Sequence, residues 1–369
     1  MFSNAELVMF EGRSAAVAIA LGLSVVACSS GGGDSADGVV TLQPDAPASA
    51  ATGPAGGGAG AGSSDPGSVD PGDQLDDVMT GDSTSGAEVT PVEIDASAPD
   101  EILFQQALDA YDAMDYVTAR DLFRQYLDTY PDAPRNDNAA YLEGRSLYAM
   151  DDFASAVPAL DAALTIRPDT PFIGGVHYFA GRAHFRMGDM AAAMTRFQQS
   201  LSTDPMGLYA DNAQYYVGRI HFENGDYSLA LTELAKVESD YPDSTYRDNA
   251  LYYIGRSHFA SGSYGEAITA FDEVATFPIS IYLDNALYYT GRSQYILGNL
   301  SEAITTLESI EPSFPDSVYV DNALYWEARA QADMLDCVAA NATLADLQSR
   351  FPGSSYTSRA GSYLTGAGC

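Results

Sequence analysis

Apolar residues recur along most of this chain in short paired runs with helical spacing. Leu251, Ile254, His258 and Phe259 mark one helical face, Ser261-Gly262-Ser263 interrupts it, and Ala267, Ile268, Phe271 and Val274 resume it. The pattern predicts a helical hairpin. Gly255, inside the first helix, costs about 1 kcal/mol relative to alanine, a cost offset if the missing Cβ lets the partner helix approach at Ala267. Ser244, just after Pro242-Asp243, is expected to cap the next first helix, with Asp248 near the positive end of its dipole.

The hairpin repeats. A Gly-Arg pair falls at 144/145, 181/182, 218/219, 255/256 and 291/292, at spacings of 37, 37, 37 and 36, and Ala328-Arg329 follows 37 residues later. Asp-Asn pairs at 137/138, 211/212, 248/249, 284/285 and 321/322 keep the same phase, as do the columns led by Ala119, Phe123 and Pro131. Seven copies run from about residue 100 to 353, with an eighth beginning after them. Such a period predicts a solenoid, each unit burying its apolar face on the next.

Gly followed by a ring, Ala twelve residues after the Gly, an apolar residue four further and then Pro resembles the tetratricopeptide repeat. The resemblance implies an all-α, right-handed superhelical solenoid of about seven helical hairpins plus a C-terminal capping helix. Repeats are expected to start near 100, 137, 174, 211, 248, 284 and 321, with a cap over 355–365. The residues beyond the family's usual 34 are expected to lengthen the first helix from Ser244. The phrase Pro-Asp-Ser-x-Tyr-x-Asp-Asn-Ala-Leu-Tyr-Tyr at 242–253 is most similar to bacterial envelope proteins, the outer-membrane β-barrel assembly lipoprotein and the repeat domain of the Tol-Pal coordinator.

Charge narrows the partners. The net charge is −34 and Lys236 is the only lysine. Residues 101–369 carry 36 acids against 16 bases, so the solenoid offers no broad basic face to nucleic acid or anionic lipid. The N-terminus carries its own signal: residues 14–27 form a short apolar run after Arg13, with the length of a signal-peptide core. Val25-Val26-Ala27-Cys28 resembles the bacterial lipobox, which implies cleavage before Cys28 and attachment of diacylglycerol to its thiol. The organisation expected is therefore a signal peptide over 1–27, a lipid-anchored disordered linker of Gly, Ala, Ser, Pro and Asp over 28–99, and a solenoid over 100–369. A leash of that length spans about 45–50 Å. Its aspartates do not match the spacing of a calcium loop.

No metalloprotease, nucleophile-elbow, phosphate-loop or Cys-x-x-Cys motif occurs, so neither enzyme activity nor a cofactor is expected. His184, His221 and His258 share one repeat column. Successive first helices lie about 8–10 Å apart, too far for three imidazoles to reach one ion at about 2 Å, and the column reads as packed rings. Cys337 and Cys369 are a candidate disulfide if the capping helix returns its end to Cys337; two free thiols are the alternative.

The candidate binding residues lie on the first helices, which in tetratricopeptide arrays line the concave face. Asn212, Tyr215 and Arg219, then Asn249, Tyr252 and Arg256, then Asn285, Tyr288 and Arg292 occupy one side of their helices at offsets of three and seven. Asn suits a peptide backbone, Tyr supplies contact area and Arg grips carboxylates. The same columns also fit packing between repeats. Together these features suggest a non-enzymatic scaffold, an outer-membrane lipoprotein facing the periplasm, that binds extended segments of envelope proteins during outer-membrane protein assembly or Tol-Pal-linked division. A self-assembling envelope protein and a peptidoglycan-active solenoid enzyme are the alternatives.

Overall fold

The computed structural model describes residues 96–369, and all the regular structure among them is helical. The apolar run at 14–27, Cys28 and the linker up to residue 95 lie outside the described residues. First helices are α1 (Pro99–Asp112), α3 (Asn136–Ala149), α5 (Ile173–Arg186), α7 (Ala210–Glu223), α9 (Arg247–Ala260), α11 (Leu283–Ile296) and α14 (Val320–Asp333). Second helices are α2 (Tyr116–Thr129), α4 (Phe153–Ile166), α6 (Met190–Thr203), α8 (Tyr227–Ser239), α10 (Tyr264–Val274), the broken pair α12 (Leu300–Glu308) and α13 (Ile310–Ser313), and α15 (Cys337–Arg350). Pro312, which has no N–H to give the turn before it, accounts for the break ahead of α13. A last helix, α16 (Ser355–Ala367), packs on α14 and α15 as a cap.

Each inner first helix is enclosed by four neighbours: its own second helix, the preceding second helix, and the first helices before and after. Enclosure on that scale explains why residues 139–148 of α3 are buried without interruption. The conserved spacing of small and large residues makes the enclosure possible within each repeat. A Cβ on Gly255 would sit 2.5 Å from Phe271 Cε1, and one on Gly218 would sit 2.6 Å from Leu234 Cγ. The helical glycine therefore makes room for the large apolar residue sixteen positions on, not for Ala267 as the sequence suggested. A ring seated over bare backbone recovers more burial than the glycine loses in helix propensity.

The turn between the two helices of a repeat needs one left-handed residue. Gly188, Gly225, Gly262 and Gly298 supply it at φ of 79–82°, whereas Met114, Asp151 and Leu335 hold the same place at 59–63°. The next helix is then capped by an aspartate: Asp115, Asp152, Asp189 and Asp336 each accept a hydrogen bond from the backbone N–H three residues ahead.

Ser244 does not cap α9. Its Oγ accepts from Tyr246 N at 3.0 Å and donates to Asp211 Oδ2 at 2.6 Å, one repeat back. The residues added to the repeat thus form a turn ahead of the first helix, which begins only at Arg247. Ser317 binds Asp284 at 2.6 Å and Thr170 binds Asp137 at 2.7 Å in the same way, so the Asp of the Asp-Asn pair clasps one repeat to the next. In the third repeat both partners are lost together: Gly174 stands in the Asp column and Gly207 in the Ser column. Asp204 fills the space, where a Cβ on Gly207 would fall within 2.7 Å of both of its carboxylate oxygens.

Candidate protein-binding surface

Of the residues expected to line an open face, Tyr215, Tyr252 and Tyr288 are almost wholly buried. Each meets the aromatic residue just ahead of the next first helix. Tyr252 stacks on Tyr282 at 4.2 Å and 15°, Tyr288 lies 4.6 Å from Tyr319, and Tyr215 lies 5.2 Å from Tyr246. The Tyr252 hydroxyl is engaged as well. Arg256 Nη1 donates to Tyr252 OH at 2.8 Å and Asn285 Nδ2 donates to the same oxygen at 3.1 Å. Asn212 reaches Tyr178 OH of the preceding repeat at 3.2 Å, and Asn249 is buried. The Asn, Tyr and Arg columns therefore meet one another across repeat boundaries.

The arginines occupy slots between rings of the repeats on either side. Arg219 Cζ lies 4.7 Å from the Phe185 ring and 5.3 Å from the Tyr253 ring. Arg256 lies 5.2 Å from Phe222 and 4.6 Å from Tyr289, and Arg292 lies 4.9 Å from Phe259 and 5.0 Å from Trp326. Arg145, Arg182 and Arg329 repeat the arrangement, giving a column of guanidinium groups alternating with rings. A planar, weakly hydrated cation is the residue that such a slot accepts. Sequence reasoning expected a carboxylate partner; the signal it passed over was the ring one position after each column tyrosine, at Tyr216, Tyr253, Tyr289 and Trp326.

His184 and His221 lie 3.9 and 4.0 Å from the carboxylates of Asp189 and Asp226, the residues just ahead of α6 and α8. No group able to hold a metal ion occurs among the described residues. A disulfide joins Cys337, at the start of α15, to Cys369 beyond α16, with Cα atoms 5.0 Å apart.

Between successive second helices runs a furrow floored by the first helix below. Polar side chains fill it in most repeats. Over α5, Arg196 of α6 donates two bonds of 2.7 Å to Asp161 of α4, above the buried His177, whose pKa is lowered first by burial and then by the Arg196 charge. Over α7, Gln214 donates to the Glu233 carboxylate at 2.9 Å, which also accepts from Lys236 at 2.7 Å. Over α3, Arg124 meets the buried Glu143 at 2.6 Å. Over α14, Glu327 accepts from Gln331 at 2.7 Å and from Thr343 at 3.0 Å. Over α9 the furrow stays open as a groove of about 450 Å³.

Comparison with known proteins agrees with this architecture. A tetratricopeptide-repeat family model matches residues 104–171, 141–205 and 178–245, and a second such model matches 285–317. No curated protein sequence matches the chain. Among solved structures, the C-terminal part of a repeat-containing protein from Cytophaga hutchinsonii is 15% identical over 70% of this chain and 98% of its own, with a TM-score of 0.57. PilW, a type IV pilus biogenesis factor, is 20% identical over 61% of this chain and 98% of its own, with a TM-score of 0.50. At these identities the likeness is one of fold.

Proposed function

The chain is a tetratricopeptide-repeat protein, and from that premise we propose that it is a non-enzymatic scaffold that binds other proteins of the cell envelope. One observation carries the reading: every folded segment among the described residues is a repeat or its cap, so a partner that meets these residues meets the surface of the array. Solenoids of this kind act through extended surfaces that recruit partner segments. The lipobox-like sequence ending at Cys28 supports an outer-membrane anchor with the array in the periplasm. The Pro-Asp-Ser-x-Tyr-x-Asp-Asn phrasing supports a role in outer-membrane protein assembly or Tol-Pal-linked division.

The test is in-cell crosslinking of the intact chain beside Cys28→Ala. The expected result is a defined set of envelope proteins crosslinked to the membrane-bound native chain, with the variant released into the soluble fraction. Native and variant chains that fractionate alike would remove the anchor, and an absence of protein crosslinks would remove the scaffold. Incubation with purified peptidoglycan is expected to release no soluble fragments.

A further inference from the structure

The groove over α9 lacks the polar side chains that fill the furrows over α3, α5, α7 and α14. In repeat register Asp161 and Arg196, the ion pair over α5, correspond to Ala235 on α8 and Ala270 on α10, and His177 beneath them corresponds to Leu251. The other repeats place Arg124 and Ala159, Gln198 and Glu233, Asp272 and Thr306, or Glu308 and Thr343 in the two columns, so the fifth repeat alone has alanine in both. The result is an apolar floor of Leu251 and Ile254, with His258 at its end, between two separated second helices.

The rim carries one sign of charge. Glu266 and Glu273 line the α10 side, and Glu238 lines the α8 side. The nearby cations are engaged, Arg247 with Glu238 at 2.7 Å and Lys236 with Glu233 at 2.7 Å. An occupant must therefore offer apolar surface to the floor and positive charge to the edges.

We propose that this groove, on the second-helix side of the array, docks a segment of a partner protein whose apolar side chains are flanked by lysine or arginine. The proposal rests on the scaffold reading and gives it a site and a ligand chemistry. Leu251 and Ile254 would cover the partner's apolar side chains, and Glu266 and Glu273 would meet its cations. On a chain of net charge −34 such a segment is also steered in from a distance.

The test selects a random displayed peptide library on the whole chain, then measures the recovered peptides against the native chain and against Ala235→Asp/Ala270→Arg, which restores the bridge of the third repeat. Peptides with apolar residues between Lys or Arg are expected. They should bind the double variant at least about tenfold more weakly, while its melting temperature is not lowered. Glu266→Lys/Glu273→Lys, at two exposed positions, is expected to weaken the same peptides and serves if the first variant does not fold. Peptides that bind both variants like the native chain would overturn the groove and leave the scaffold reading standing. Recovered peptides without basic residues would overturn the ligand chemistry. A library that yields no binder would overturn both.

Discussion

Arg182 is buried to 1% exposure, which for an isolated guanidinium would be costly. It persists because its Nη1 donates to Tyr178 OH at 3.0 Å and its plane lies between the Tyr148 and Tyr216 rings, at 5.6 and 4.7 Å. Arg182→Lys keeps the charge but loses the plane and the fork. It should lower stability in urea by about 1 kcal/mol, whereas exchanging the partly exposed Lys236 for Arg should change little. Glu327 is the opposite case, a buried acid whose pKa is raised by burial against the opposing bonds from Thr343 and Gln331. Ionising it costs the fold. The cost is absent while folded and unfolded chains both hold the proton, grows as pH rises through the ordinary carboxylate range, and is complete above the folded-state pKa. Glu327→Gln should therefore raise the melting temperature at about pH 7 and leave it unchanged below about pH 4. None of this was legible in the sequence, because a buried charge and a solvated one are written with the same letter.

At the scale of the helix, the sequence displayed most of the design. Both helices of each repeat, the glycine turn and the period follow from spacing alone, because the same apolar positions must meet in every copy. What spacing could not assign was which small residue faces which large one. Gly255 lies under Phe271, so Gly255→Ala gains about 1 kcal/mol of helix propensity yet drives a Cβ to 2.5 Å from the ring. A net loss of about 1–3 kcal/mol is expected in chemical denaturation, and equal or higher stability would show that the ring can yield. Ser244 misled for a related reason. Serine ahead of a helix commonly caps it, but a repeat also offers a partner 33 residues back at Asp211, visible only once the units are stacked. The aspartate caps that do form, at Asp115, Asp152, Asp189 and Asp336, sit in a column open to inspection but overlooked beside the more conspicuous Pro-Asp-Ser turn.

For the molecule as a whole, contacts between neighbours alone make stability a sum of local terms that fails first at the ends. The Cys337–Cys369 disulfide closes 32 residues around α15 and α16, a constraint of about 3–4 kcal/mol on the unfolded end. Cys369→Ser should speed amide exchange in α15 and α16 and leave α3 to α7 unaltered; a uniform increase along the array would mean that it melts as one unit. The alternating rings and guanidinium groups carry a different consequence, one about chain length. The second to seventh repeats each supply a guanidinium together with rings for the slots before and after it, so within this column one copy can stand in for another. Excising residues 182–218, one period of 37, joins Gly181 to Arg219 and sets that arginine between Tyr148 and Tyr253, rings of the kinds it already had. Excising one residue more or fewer at that junction, inside a first helix, turns one part of the helix off the packed face; the 36-residue unit keeps its columns because its missing residue falls past Phe271, at the end of α10. The protein can be shortened or lengthened, but only in whole units, like a ruler cut at its marks.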